Sequence, residues 1–261
     1  MVQNELKVFL VQSDVKWQDI EGNLNMFDLI IQEQAGDADL IVLPEMFTTG
    51  FSMEPEKMSE GMDGKAVSWI ISTAKKNGVA IIGSVIIKED EGYYNRLLFA
   101  YPSGELKTYD KRHLFRMGNE HEHYKAGSKR LILEYKGWKI CPLICYDLRF
   151  PVWSRNANDY DLLIYIASWP AARSFPWRSL LVARAIENQC YVVGVNRVGV
   201  DGAGLKYSGD SAAINSRGEY LTGLVPGEVG CAMAALSMED LKSFRSKFPV
   251  MLDGDRFQIL D

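Results

Sequence analysis

Apolar runs of strand length alternate with helical stretches along almost the whole chain, and this alternation restricts the possible folds most tightly. Residues 7–12 read as an opening strand. Residues 23–34 set Leu24, Phe27, Ile30 and Ile31 on one helical face. Residues 40–44 are a short apolar strand that ends at Pro44-Glu45. Residues 66–76 read as a helix stopped by Asn77-Gly78, a C-cap signal. Strands follow at 79–87 and 94–101, and Pro102-Ser103-Gly104 turns the chain into another short strand toward Lys111. The pattern continues with strands at 138–144 and 161–167, a helix at 177–189 and a strand at 191–196. A hairpin at 209–215 and 219–222, a strand at 229–236 and a helix at 238–246 complete it. Interleaving of this kind predicts an α/β layered domain, and the hairpins make the sheet mixed. No linker, low-complexity tract or exact repeat divides residues 1–261, so a single domain is expected.

Composition excludes several classes of function. The 261 residues carry a formal charge of −5 and no basic run, which argues against nucleic-acid and membrane-surface partners. No stretch approaches the roughly 20 apolar residues of a membrane helix, and the N-terminal apolar run is too brief for a secretory signal. The four cysteines, Cys141, Cys145, Cys190 and Cys231, form no Cys-x-x-Cys pair. A cytoplasmic location is expected.

Four residues stand where a strand gives way to a polar loop, the usual address of chemistry on a rigid sheet. Cys145 follows the apolar strand 138–144, and Pro151 can open a helix after it. That segment alone leaves two readings open: a core thiol, or an exposed thiol whose thiolate a helix N-terminus favours. Cys141, Cys190 and Cys231 fit the core reading better. Glu45 directly follows a buried strand and is either a surface cap or a general base raised by partial burial. Lys111 is either a solvated charge or a cation aimed at a thiol and a developing oxyanion. Glu120 lies in a polar loop beside His121 and His123, close to His113. One such cluster is weak ground for a metal site. Gly199, Gly202 and Gly204 have the wrong spacing for a dinucleotide loop and predict a mobile turn.

Taken together the segments say more. Leu-Pro-Glu at 43–45, Lys-Arg-His-Leu-Phe at 111–115 and Ile-Cys-Tyr-Asp-Leu-Arg-Phe-Pro at 144–151 occur in that order. So do Ala-Arg-Ala-Ile-Glu-Asn-Gln at 183–189, Gly-Asp-Ser at 209–211 and Lys-Phe-Pro at 247–249. The whole chain thereby resembles the nitrilase superfamily of carbon–nitrogen hydrolases. The resemblance implies a four-layer α-β-β-α sandwich with mixed sheets, assembled as a homodimer. It implies Cys145 as nucleophile, Glu45 as general base, Lys111 as oxyanion lysine and no metal or organic cofactor. The superfamily's second glutamate stands seven residues before a glycine. Gly127 is that glycine, which points to Glu120, with Glu122 as the alternative.

Ser168-Trp169-Pro170, Arg173, Trp177-Arg178 and Asn196-Arg197-Val198-Gly199 look like the bacterial omega-amidases of this superfamily. Their small-molecule substrates are the terminal amides of 2-oxo acids, 2-oxoglutaramate above all. Such a substrate implies Tyr146 and Trp169 at its binding site. It also needs a cation for its carboxylate, with Arg173 and Arg178 as candidates. Arg149 looks like a brace for the segment around Cys145. The alternatives are an N-carbamoyl-amino-acid hydrolase, a nitrilase, or a catalytically idle binding protein on the same fold.

Overall fold

The computed structural model describes residues 4–255 and 257–259. Its strands are β1 (Glu5–Gln12), β2 (Leu40–Val42), β3 (Ala80–Glu89), β4 (Gly92–Ala100), β5 (Leu106–Asp110), β6 (Leu133–Tyr135) and β7 (Trp138–Ile144). They continue as β8 (Leu162–Ala167), β9 (Tyr191–Asn196), β10 (Val198–Val200), β11 (Lys206–Ser208), β12 (Ala212–Ile214), β13 (Tyr220–Gly223) and β14 (Gly230–Ser237). The helices are α1 (Ile20–Gln34), α2 (Pro55–Met58), α3 (Lys65–Asn77), α4 (Glu120–His123), α5 (Pro151–Ser154), α6 (Ser174–Asn188) and α7 (Met238–Lys247).

Two six-stranded mixed sheets face each other, in the orders β14-β1-β2-β3-β4-β5 and β13-β12-β9-β8-β7-β6. Each has three parallel strands at its centre, β1-β2-β3 in one and β7-β8-β9 in the other, with antiparallel strands on both flanks. The sequence shows no repeat because the halves share strand directions, not side chains.

Strand periodicity builds the layers. On β1, Leu6, Val8 and Leu10 point into the core between the sheets, whereas Phe9 and Val11 point outward beneath α1 and α3. Leu24, Phe27 and Ile31 of α1, with Val67, Ile70 and Ala74 of α3, cover that outer face. Trp177, Leu181 and Ala185 of α6 pack with the second sheet. Trp138 and Trp177 are fully buried, and each large side chain buried in this way contributes about 2–3 kcal/mol. The architecture is the α-β-β-α sandwich.

Local signals set the ends. The Asp19 side chain accepts from the Gly22 N–H at 2.9 Å and caps α1. Gly78 closes α3 with φ +64°, a left-handed geometry that glycine adopts without penalty. Three expectations are corrected. The strand 40–44 ends at Val42, so Leu43 and Pro44 belong to the turn that carries Glu45. The strand 209–215 shrinks to β12, because Gly209 and Asp210 have φ of +70° and +57° and interrupt the extended chain. The glycine-rich segment 199–204 is not a bare turn: β10 and β11 pair antiparallel around it, with Gly199 opposite Tyr207. Among the described residues no helix is long and apolar enough to cross a membrane.

Candidate active site

The loops after β2, β5, β7 and β8 converge at one end of the sandwich. Glu45 lies three residues beyond β2, Lys111 directly after β5, Cys145 directly after β7 and Ser168 directly after β8. Open α/β sheets characteristically place ligands beyond the carboxyl ends of parallel strands. Three of these turns contain a left-handed residue that is not glycine: Met46 after Glu45 (φ +45°), Asn119 before Glu120 (φ +57°) and Cys145 itself (φ +45°). Each such residue costs about 1 kcal/mol and persists only where surrounding contacts fix it.

Those contacts are present. The Met46 N–H donates to Ser84 Oγ at 2.8 Å. The Lys111 N–H donates to the Asn95 carbonyl at 3.0 Å, and the Gly127 N–H donates to the Lys111 carbonyl at 2.9 Å. Gly127 packs so closely on Asp110 that an added Cβ would overlap the Asp110 carbonyl oxygen. Gly127→Ala should therefore lose about 1–3 kcal/mol in urea unfolding, with turnover falling as the loop carrying Glu120 shifts. Unchanged stability would show that the loop yields freely there.

Glu45, Lys111 and Glu120 are fully buried, and Cys145 is 8% exposed. Lys111 Nζ lies 2.8 Å from Glu45 Oε1, 3.0 Å from Glu120 Oε1 and 2.9 Å from Glu120 Oε2. Asn95 Nδ2 lies 2.8 Å from Glu45 Oε1 and 3.3 Å from Glu120 Oε1. The Ser168 N–H donates to Glu45 Oε2 at 2.8 Å, and the Phe115 N–H donates to Glu120 Oε2 at 2.6 Å. Burial alone would drive Lys111 toward the neutral amine, but Glu120 and Glu45 outweigh it and hold the ammonium well above its ordinary range. Burial, helped by Glu45, holds Glu120 above the ordinary carboxyl range against the pull of Lys111. Glu122 is exposed and takes no part.

Cys145 opens a 3-10 turn, Cys145–Arg149, followed only by the four residues of α5. The helix that was to favour a thiolate is thus too short to do so. Burial and the Glu45 carboxylate push the Cys145 thiol well above its ordinary value, against the opposite pull of Lys111 and the Ser168 backbone. The resting group is a protonated thiol beside a carboxylate that can accept its proton. Cys141 and Cys190 are buried and Cys231 is half-buried; burial pushes the Cys141 thiol up to about 12.

Asp147 fixes the turn from below. It accepts from the Ile144 N–H at 3.1 Å, the Tyr109 hydroxyl at 2.7 Å and the His113 N–H at 3.0 Å. The arginine that braces the turn is Arg184 of α6, which donates to the Leu148 carbonyl at 2.7 Å. Arg149 is not that brace. Its guanidinium is exposed and lies 5.1 Å from the centre of the Trp169 ring.

Cys145 opens into a cavity of about 520 Å³ with largely apolar walls that include Phe51, Met53, Phe115 and Leu205. Tyr146, Trp169, Arg149 and Arg173 also line it, and Asp201 and Tyr207 reach it from the β10–β11 hairpin. The Arg173 guanidinium lies over the Phe115 ring at 5.2 Å, and its one hydrogen bond among the described residues is to the Met117 sulfur at 4.0 Å. Neither Arg149 nor Arg173 is paired with a carboxylate among the described residues. Arg178, by contrast, is paired with Asp210 at 2.9 Å and does not line the cavity. His113 stacks on Phe150. Among the described residues no group of three or more His, Cys, Asp or Glu is placed to hold a metal ion.

Sequence reasoning missed Asn95, the Ser168 amide and the outward turn of Arg149. Asn95 did leave a signal: a carboxamide inside a strand that runs on into Leu97-Leu98-Phe99 is a poor strand former unless it has buried partners.

The profile of the carbon–nitrogen hydrolase family matches residues 7–246. Omega-amidase YafV from Escherichia coli K12 is 50% identical over 254 residues, covering 97% of this chain and 98% of that protein. A 2-oxoglutaramate amidase from Bacillus subtilis is 36% identical over 93% of this chain and 95% of its own length. Among solved structures, XC1258 from Xanthomonas campestris, a CN-hydrolase superfamily protein with an arsenic adduct in its active site, superimposes with a TM-score of 0.96. It is 46% identical, and the match covers 98% of this chain and 100% of that one.

Proposed function

The chain belongs to the carbon–nitrogen hydrolase family, and from that premise we propose that it is an omega-amidase acting through a Cys145 thioester. Its substrates are the terminal amides of 2-oxo acids, 2-oxoglutaramate and 2-oxosuccinamate, and its products are the dicarboxylate and ammonia. One observation carries the assignment of roles: the Cys145 thiol lines the cavity together with Ser168, and the Ser168 amide and Lys111 hold the Glu45 carboxylate there.

Cys145 Sγ attacks the amide carbon while Glu45 takes the thiol proton. The carbonyl oxygen becomes an oxyanion, held by Lys111 Nζ and the Tyr146 N–H. That amide lies in the first turn of the 3-10 segment, where helical geometry leaves donors without acceptors. Collapse breaks the carbon–nitrogen bond as Glu45 returns the proton to the leaving nitrogen, which departs as ammonia. A water then gives a proton to Glu45 and attacks the thioester. The second oxyanion collapses to the carboxylic acid, and sulfur recovers the proton from Glu45. Glu120 orients Lys111 throughout.

Arg173 anchors the remote carboxylate, with Arg149 on the adjoining wall; Arg178 is occupied by Asp210. Trp169 forms the surface between them. Arg173→Ala should raise the KM for 2-oxoglutaramate about 10- to 100-fold, the value of a charged hydrogen bond. kcat should change little, and so should hydrolysis of an amide lacking the carboxylate. An unchanged KM would remove Arg173 from this role.

The two sheets serve as one catalytic domain, a reading supported by the continuous core between them. The protein works as a homodimer in the cytoplasm. Exposed Phe248, Leu252 and Phe257 give a second copy an apolar surface to cover, and four unbridged cysteines suit a reducing compartment.

A further inference from the structure

Asn95 is fully buried on β4 between the two carboxylates. Its Nδ2 and Lys111 Nζ both reach Glu45 Oε1, each at 2.8 Å. Both also reach Glu120 Oε1, at 3.3 and 3.0 Å. The four contacts close a ring in which donors and acceptors alternate. The amide can point only one way, because its reverse would set Oδ1 against two carboxylate oxygens. Oδ1 itself has no partner among the described residues, so the side chain is held by its donor end.

We propose that Asn95 is a positioning residue for the hydrolysis, the uncharged second donor that holds Glu45 and Glu120 in register around Lys111. This rests on the reading of Glu45 as the general base. Two carboxylates and one ammonium leave the cluster with one excess negative charge, which keeps the proton on the thiol at rest and favours Glu45 as its acceptor when sulfur attacks. A second cation would hold the carboxylates equally well but would weaken Glu45 as a base. A carboxamide supplies two hydrogens and no charge. Its backbone adds a further tie, because the Asn95 carbonyl accepts the Lys111 N–H. The titratable groups facing the ring are Lys111, Glu45, Glu120 and the Cys145 thiol, with the Tyr124 and Tyr207 phenols within electrostatic reach.

The test uses Asn95→Leu, matched in shape but without a donor, and Asn95→Asp, matched in shape but with a third carboxyl. Full-length proteins are compared by circular dichroism, then by kcat and KM for 2-oxoglutaramate across pH. Asn95→Leu should lower kcat at least about 10-fold with KM within about 2-fold. The acidic limb of its kcat profile should move up by about one pH unit, because a carboxylate pair short of a donor holds a proton more tightly. Asn95→Asp should move the limb in the same direction and further. If Asn95→Leu folds poorly, the same two readouts on Asn95→Asp decide. A folded variant with unchanged kcat overturns the proposal. So does a fall in kcat with an unmoved limb, which would make Asn95 merely structural. Glu45→Gln is measured alongside: retained turnover there would defeat the base assignment, whereas an inactive Glu45→Gln with normal Asn95 variants defeats only the ring.

Discussion

Cys145→Ala should release ammonia from 2-oxoglutaramate about 10⁵-fold more slowly than the unaltered protein, while unfolding within a few degrees of it. The size of the loss follows from covalent catalysis. Without sulfur there is no thioester, and removing a nucleophile from such a machine costs about as much as removing the whole set. The mild effect on stability follows from the surroundings. The side chain loses one sulfur atom at the edge of a cavity, roughly 1 kcal/mol of packing, which is a few degrees for a chain of this length. Alanine also tolerates the left-handed φ of +45° no worse than cysteine. Ammonia assay and thermal unfolding read the two quantities separately. Retained turnover in a folded variant would take Cys145 out of the reaction.

Lys111→Met should lose activity and, unlike Cys145→Ala, much of its stability. Lys111 is fully buried between Glu45 and Glu120. Methionine fills a similar volume but leaves two carboxylates facing each other with only Asn95 as a shared donor. Removing one member of a buried charge cluster costs about 3–5 kcal/mol, a large part of the 5–15 kcal/mol that holds a typical domain. The pH dependence gives this prediction its signature. Burial and Glu45 already hold Glu120 above the ordinary carboxyl range, and Lys111 is the main influence pulling it down. Without Lys111 it rises further. A carboxyl raised in the folded state gives stability that is fully present below its unfolded pKa and is lost as pH rises through the folded value. The variant should therefore grow more stable as pH falls from 8 toward 5. In the unaltered protein the raised Lys111 ammonium titrates far above that window and offsets part of the rise of Glu120, so the same trend should be weaker there. Glu120→Gln added to Lys111→Met should recover stability but not turnover. Urea midpoints at pH 5 and pH 8 test the sign, and a variant that loses stability on acidification would contradict the charge assignment.

Much of this architecture is legible in the sequence, because strand-length apolar runs and 3.6-residue periodicity are local properties. The strands 138–144 and 191–196 agree with β7 and β9 at both ends. Counting back seven residues from Gly127 reaches the one glutamate of its loop that the fold brings to Lys111. The count has a physical basis. Gly127 donates to the Lys111 carbonyl and packs on Asp110, so its distance along the chain sets where Glu120 lands. Pairings across long sequence separations are what the sequence hides. Arg178 and Arg173 are alike in sequence, and only Asp210, 32 residues further on, tells them apart. Arg149 does not brace the turn as expected, because the brace on Leu148 is Arg184, from a helix 36 residues away. Asn95 lies 50 residues from Glu45 and 25 from Glu120, so its place between them exists only in the folded chain. The β10–β11 hairpin escapes because each strand has only three residues and a glycine lies within the first.

Ammonia release from three substrates under the same conditions tests the central claim most directly: 2-oxoglutaramate, an N-carbamoyl amino acid and a simple nitrile. An omega-amidase with arginines on the wall of its cavity should show a kcat/KM for 2-oxoglutaramate at least about 100-fold above the other two, as expected for one carboxylate anchor and a matched amide. Faster release from the carbamoyl amino acid or the nitrile would contradict that substrate assignment.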